Sequence, residues 1–248
     1  MHQFDIFIFD KAAPCQWAIP FEDSALGWHH DSDWNRPLQD IHAEWLVFTH
    51  PAITIDRGFL DNLAQVIEEF PMVDAFAPRI KSGSHFYGGL LLDGTKGFNP
   101  IAEDEKMRFV AAPNPLIGVF SSRIVQRTGL FDLTLPGEFR LTDYTLRMAH
   151  AGGKMFSVPY LVAESNNTSA IDILDGHFLY REQSVAPLWN IYYKSLSASL
   201  LTGFTLRHPS MLPKFFGFDK ESKLRKKIRD KATSLSKFSA EYLKEVSR

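Results

Sequence analysis

The sequence predicts a mainly parallel α/β domain followed by a basic helical tail, and three observations predict it. Short continuous apolar runs such as Trp45-Leu46-Val47-Phe48 have the pattern of strands covered on both faces. Segments with apolar residues at helical spacing alternate with these runs up to about residue 163, the order expected of a sheet with helices on its faces. The charge is also divided: Lys214–Arg248 holds eleven Lys and Arg against five Asp and Glu, or +6, which leaves −8 for residues 1–213.

Taken in order, Phe4–Phe9 reads as a buried strand that runs into a loop at Asp10–Pro14, and residues 15–37 show no period. After the strand at 45–48, Asp56 is placed to cap a helix whose apolar residues are Phe59, Leu60, Leu63, Val66, Ile67 and Phe70, with Pro71 ending it. Val73–Ile80 reads as a strand, and the Gly-rich Lys81–Asn99 as a loop or hairpin. Ala111–Phe120 is extended, and Ser121 opens a short helix that stops at Gly129. Thr142–Ala151 is a second helix ended by Gly152-Gly153, and Met155–Val162 a further strand. There is no internal repeat.

The bulk numbers exclude several classes. A chain of 248 residues, 45 % hydrophobic, buries most of its apolar surface without staples. Cys15 is the sole cysteine, so no internal disulfide forms and a reducing, cytoplasmic setting is expected. Asp5 and Asp10 interrupt the first apolar run, unlike a signal peptide, and no run approaches the ~20 apolar residues of a membrane span. The acidic body and the lack of a recognisable motif argue against nucleic acid. No Walker pattern, Gly-x-Gly-x-x-Gly or Gly-x-Ser-x-Gly occurs.

Ligands of such sheets bind beyond the carboxyl ends of the strands, so Asp10 and Thr49-His50-Pro51 are expected to face one crevice. His50 can donate to a phosphate or bind a metal, or it is a solvated loop histidine. Asp10 can accept from a base or ribose, or cap a turn. Asp143, in the first turn of its helix, is either an active-site carboxylate or an acid favoured by the helix dipole. His29-His30-Asp31-Ser32-Asp33 fits no known metal spacing and reads as a solvated loop.

Three stretches in this order resemble the family 2 glycosyltransferases of the GT-A fold: FDIFIFDKAAP, NRPLQDIHAEWLVFTHPAI, and APNPLIGVFSSRIVQRTGLFD with LTDYTLRMAHAGGKMFSVPYLVAE. The resemblance spans roughly residues 4 to 210, which sets the domains at 1–210 and a tail at 211–248. It implies a nucleotide-sugar donor and a glycan or lipid-linked acceptor, with Asp10 on the nucleotide base, Asn35 shaping the donor pocket and Thr49 and His50 on the donor. Asp143 is the best available catalytic base. The family's Asp-x-Asp, which holds Mn²⁺ or Mg²⁺ against the diphosphate, is replaced by Thr49-His50-Pro51, so catalysis is expected to be inverting and metal-independent. The first family strand has no counterpart, and residues 15–34 or a partner subunit are expected to cover the exposed edge. A non-catalytic sugar-binding or scaffolding module of the same fold is the alternative. The tail's Leu224, Ile228, Leu235, Phe238, Tyr242 and Val246 suit one helical face, packed on the domain, on a second subunit or a partner transferase, or lying on the inner face of a membrane.

Overall fold

The computed structural model describes residues 2–9, 26–30, 34–39, 41–93, 97–102, 106–133, 137–165 and 246. The tail apart from the buried Val246, together with Asp10, Cys15 and Asp31–Asp33, lies outside the described residues.

A seven-stranded sheet forms the centre, in the order β2-β1-β3-β9-β4-β10-β8. Its members are β1 (Phe4–Ile8), β2 (Leu26–His30), β3 (Trp45–Thr49), β4 (Ala75–Phe76), β8 (Arg108–Val110), β9 (Ile117–Ser121) and β10 (Met155–Ser157). β1 pairs in parallel with both β2 and β3, β9 is antiparallel to β3 and to β4, and β10 is parallel to β4 and antiparallel to β8. Five strands therefore point one way, and β9 and β8 point back. The sheet is mixed and mainly parallel, as expected.

Helices cover both faces. α2 (Arg57–Glu69) starts where the Asp56 carboxylate accepts from the Phe59 N–H at 2.7 Å. It buries Phe59, Leu60, Leu63, Val66 and Ile67 with Phe4, Ile6, Trp45 and Val47 of the sheet. On the other face α3 (Ser122–Thr128) and α4 (Gly137–His150) bury Ile124, Val125, Leu141, Tyr144 and Met148 with Phe7, Leu46, Phe48 and Phe120. β3 thus sends Trp45 and Val47 into one core and Leu46 and Phe48 into the other. That division is why its sequence is continuously apolar. α1 (Arg36–Gln39) is one short turn beside the second core.

A smaller sheet, β11-β5-β6-β7, leans on the first. It contains β5 (Arg79–Ser82), the hairpin of β6 (His85–Asp93) and β7 (Gly97–Ala102), and β11 (Val162–Glu164). β6 meets the main sheet through a Leu90–Ala112 bridge. The approach needs Gly89, where a Cβ would sit 3.0 Å from both the Ala112 carbonyl and a Val110 methyl.

Several boundaries differ from the sequence reading. The strand expected over Val73–Ile80 is two strands in different sheets, parted at Ala77-Pro78. Met155–Val162 is likewise split by a turn in which the Leu161 N–H donates to Val158 O, with Pro159 unable to donate to a ladder. Within Ala111–Phe120 only the end is a strand, because Asn114 folds the chain by accepting from Leu116 N and Ile117 N at 3.0 and 3.1 Å. α4 begins five residues before Thr142. The edge next to β1 is covered along its whole length by β2, from the stretch 15–34.

Candidate functional site

The chain leaves β1 toward β2 on one side, then crosses back to β3 and continues the other way to β9 and β4. Strand order reverses between β1 and β3. The carboxyl ends of these two parallel strands are therefore the topological switch point, where open α/β sheets form their ligand crevice. Phe9 and His50 stand at those ends, stitched by Phe9 N–H to Thr49 O at 3.1 Å.

An aromatic wall grows from this point. The Phe9 ring lies 4.3 Å from Trp34 and 5.8 Å, edge-on, from His50. Trp34 also packs 5.1 Å from Phe131, and the Arg140 guanidinium lies 5.3 Å over its indole. Arg140, half-buried, is brought to this end by the first turns of α4 and donates to Leu133 O at 3.3 Å. Sequence reasoning missed Trp34 and Arg140. The available signal was an aromatic directly before Asn35 in a stretch otherwise polar.

His50 is partly exposed. Its Nδ1 accepts from the Ala52 N–H at 3.1 Å, and its backbone N–H donates to Leu116 O at 2.7 Å. With Nδ1 an acceptor, the neutral ring carries its hydrogen on Nε2, a donor suited to an anionic oxygen. Thr49 is 0 % exposed and its hydroxyl donates to His50 O at 3.4 Å, so it supports the turn.

Asn35 is buried and clamps Phe131 by both backbone groups: Nδ2 donates to Phe131 O at 3.0 Å and Oδ1 accepts from Phe131 N at 2.7 Å. Its amide holds Phe131, and with it the wall, in place. Asn35→Ala leaves two buried backbone groups without partners, each costing about 1–3 kcal/mol. The urea midpoint should fall at unchanged slope. An unchanged midpoint would show that the clamp contributes nothing.

Asp143 sits one turn further along α4. Its Oδ2 accepts from Arg147 Nε at 2.9 Å, and the two side chains are 1 % and 8 % exposed. Neighbouring Tyr144 has its phenol pushed well above the ordinary value by burial, against smaller opposing effects of Arg147 and Thr128. The Asp143 carboxylate is thus sealed and engaged.

The end of β3 offers one imidazole and no carboxylate, whereas Mg²⁺ and Mn²⁺ prefer oxygen donors. Among the described residues no group of three or more His, Cys, Asp or Glu side chains could hold a metal ion. No helix among the described residues is long and apolar enough to cross a membrane.

No family model matches the chain, and no curated protein matches it. Solved structures do resemble it. TarS residues 1–349 of S. aureus in complex with UDP-GlcNAc is 9 % identical with a TM-score of 0.48, covering 99 % of this chain and 88 % of that one. The mannosyltransferase PcManGT from Pyrobaculum calidifontis, in complex with GDP-Man and Mn²⁺, is 13 % identical with a TM-score of 0.43, covering 99 % and 86 %. GalNAc-T7 with UDP, GalNAc and Mn²⁺ is 8 % identical with a TM-score of 0.45, covering 84 % of this chain, which spans 54 % of that one. At such identities and TM-scores these likenesses to glycosyltransferases bear on neither ligand nor activity.

Proposed function

We propose that this protein binds a nucleotide-sugar at the β1–β3 switch point and transfers the sugar to a glycan or lipid-linked acceptor. The observation that carries the reading is the position of His50. It is a partly exposed imidazole at the strand end that the sequence resemblance assigns to the donor diphosphate, beside the Trp34 wall and the Arg140 cation. The aromatic wall suits a base or a sugar face. Asp10, next in the chain after Phe9, is assigned to the nucleotide base and Asn35 to holding the wall.

In the reaction, the acceptor hydroxyl oxygen attacks the anomeric carbon from the face opposite the diphosphate. The new glycosidic bond forms as the bond from carbon to diphosphate oxygen breaks, with inversion. The hydroxyl proton passes to Asp143, and His50 Nε2–H with Arg140 meets the charge on the leaving diphosphate. No metal enters this scheme, because the β3 end carries no carboxylate.

A second reading, a non-catalytic sugar-binding or scaffolding module, is favoured by one observation. The only base assigned is buried and bonded to Arg147, out of reach of an acceptor in this conformation. Both readings share the donor site and differ over Asp143.

The donor site is tested by melting the full chain with UDP-, GDP- and dTDP-sugars, with and without Mn²⁺. One donor at a hundred times its Kd should stabilise by about 2.7 kcal/mol, equally with and without metal. For a chain of this length that is a rise of roughly 5–11 °C. No rise with any donor would overturn the nucleotide-sugar reading, and a rise only with Mn²⁺ would overturn the metal-independent one.

A further inference from the structure

Arg79 opens β5, just past Pro78 at the carboxyl end of β4, and is 8 % exposed. Its guanidinium lies 4.4 Å from the centre of the Phe86 ring, and Nη1 donates to Pro159 O at 3.3 Å. Among the described residues no other group accepts from this side chain, and no carboxylate pairs with it. Arg147 and Arg123 differ, each donating to a carboxylate, Asp143 and Asp74. A guanidinium has five N–H donors; the stem of Arg79 is buried, while none of its nitrogens is a buried atom without a partner, so the donors not used on Pro159 O open to the surface, where an anion can reach them. The backbone that presents it is fixed. Asn114 Nδ2 donates to Pro78 O at 3.1 Å, and the Arg79 N–H to Leu161 O at 2.9 Å.

The placement is informative. Pro78 and Pro159 follow the carboxyl ends of β4 and β10, on the same edge of the sheet as His50. In the order β3-β9-β4-β10 the guanidinium stands three strands from His50, roughly 14 Å at the usual strand spacing. That is too far to share one diphosphate with His50 while pointing toward β10. We propose that Arg79 is an oxyanion-binding residue for the second substrate. The acceptor then carries a phosphate or a carboxylate, which the planar guanidinium receives in bidentate fashion. The word acceptor rests on the glycosyl-transfer reading; the anion site does not.

The test titrates the full chain with glycerol 1-phosphate and with glucuronate, each alone and in the presence of the nucleoside diphosphate that binds best. The wild type should bind one of the two anions with the nucleotide site filled or empty, and the one bound identifies the source. Arg79→Gln should weaken that binding at least tenfold, Arg79→Lys should weaken it less, and neither should alter nucleotide affinity. If neither anion binds the wild type, or Arg79→Gln binds as well as the wild type, the proposal is overturned. A tenfold loss of nucleotide affinity in Arg79→Gln would assign Arg79 to the donor and overturn the acceptor assignment. Should no nucleotide bind while anion binding still depends on Arg79, the anion site stands and the glycosyl-transfer reading falls. Melting separates a structural role. Arg79→Met without ligand should melt close to the wild type, since it gives up one hydrogen bond to Pro159 O and a ring contact but no ion pair. A fall of several degrees with unchanged anion binding would mark Arg79 as packing for Phe86 and overturn the proposal.

Discussion

Asp143→Ala should destabilise the protein by about 3–5 kcal/mol, the usual consequence of removing one partner of a buried ion pair. The carboxylate is 1 % exposed and its bond to Arg147 Nε is 2.9 Å, so the substitution removes the counter-charge that this guanidinium meets in a site closed to water. For a domain of this length each kcal/mol is worth about 2–4 °C, and the melting temperature should fall by roughly 6–20 °C. Replacing both partners, as Asp143→Leu with Arg147→Met, should recover much of the loss, because the penalty lies in the uncompensated charge. A double variant no better than Asp143→Ala would sink this explanation. Asp143→Asn is the variant that speaks to chemistry. It keeps the shape and an oxygen for Arg147 Nε–H but cannot take a proton. If Asp143 is the base, turnover falls by about 10²–10⁴ with a smaller loss of stability. A folded Asp143→Asn with unchanged turnover removes it from the mechanism. If neither wild type nor variant turns over any nucleotide-sugar that binds, the non-catalytic reading is the one that stands.

The parts of the fold legible in the sequence were those set by local chemistry. Asp56 announced α2 because a carboxylate at that spot satisfies the Phe59 N–H, and Ser121 and Gly129 bracketed α3 through the same kind of local bond and a positive φ of 85°. The continuous apolar run at β3 was legible because burial on two faces leaves no polar alternation. What failed was set by pairing at a distance. Leu26–His30 carries Gly27 and two histidines and has no strand-like alternation, and it is a strand through its register with β1. Val73–Ile80 reads as one strand because nothing short-range says that Phe76 and Arg79 belong to different sheets. The site divides the same way. His50 was visible from its place at a strand end; Asp143 was expected in the first turn of its helix, but α4 starts at Gly137 and holds it in mid-helix, where the dipole argument for a helix-start acid does not apply. Trp34, Arg140 and Arg79 acquire meaning only when β1, α4 and the β10 turn come together.

Phe48→Ala should cost about 3–5 kcal/mol and also weaken the ligand crevice, and the second effect makes it informative. Phe48 is 0 % exposed on β3, with its ring 5.1 Å from Phe7, 5.9 Å from Phe120 and 5.0 Å from Phe131. It also stacks at 6.5 Å on Trp34, which carries Arg140 and touches Phe9. The cavity left by its ring would lie directly behind the wall, so Trp34 loses one of the surfaces that hold it and Arg140 loses its platform. Phe4→Ala is the matched control: a buried Phe of the neighbouring strand, in the other core and at the far end of the sheet. Both variants should melt well below the wild type. Phe4→Ala should keep the donor-induced rise in melting temperature, and Phe48→Ala should lose most of it. Because the two start from comparable destabilisation, general loosening cannot produce the difference. Equal donor-induced rises in both variants would show that the wall does not depend on this core. The binding energy would then have to come from His50 and the neighbouring backbone alone, and Phe48→Leu, which restores most of the volume, would show no advantage over Phe48→Ala in donor affinity.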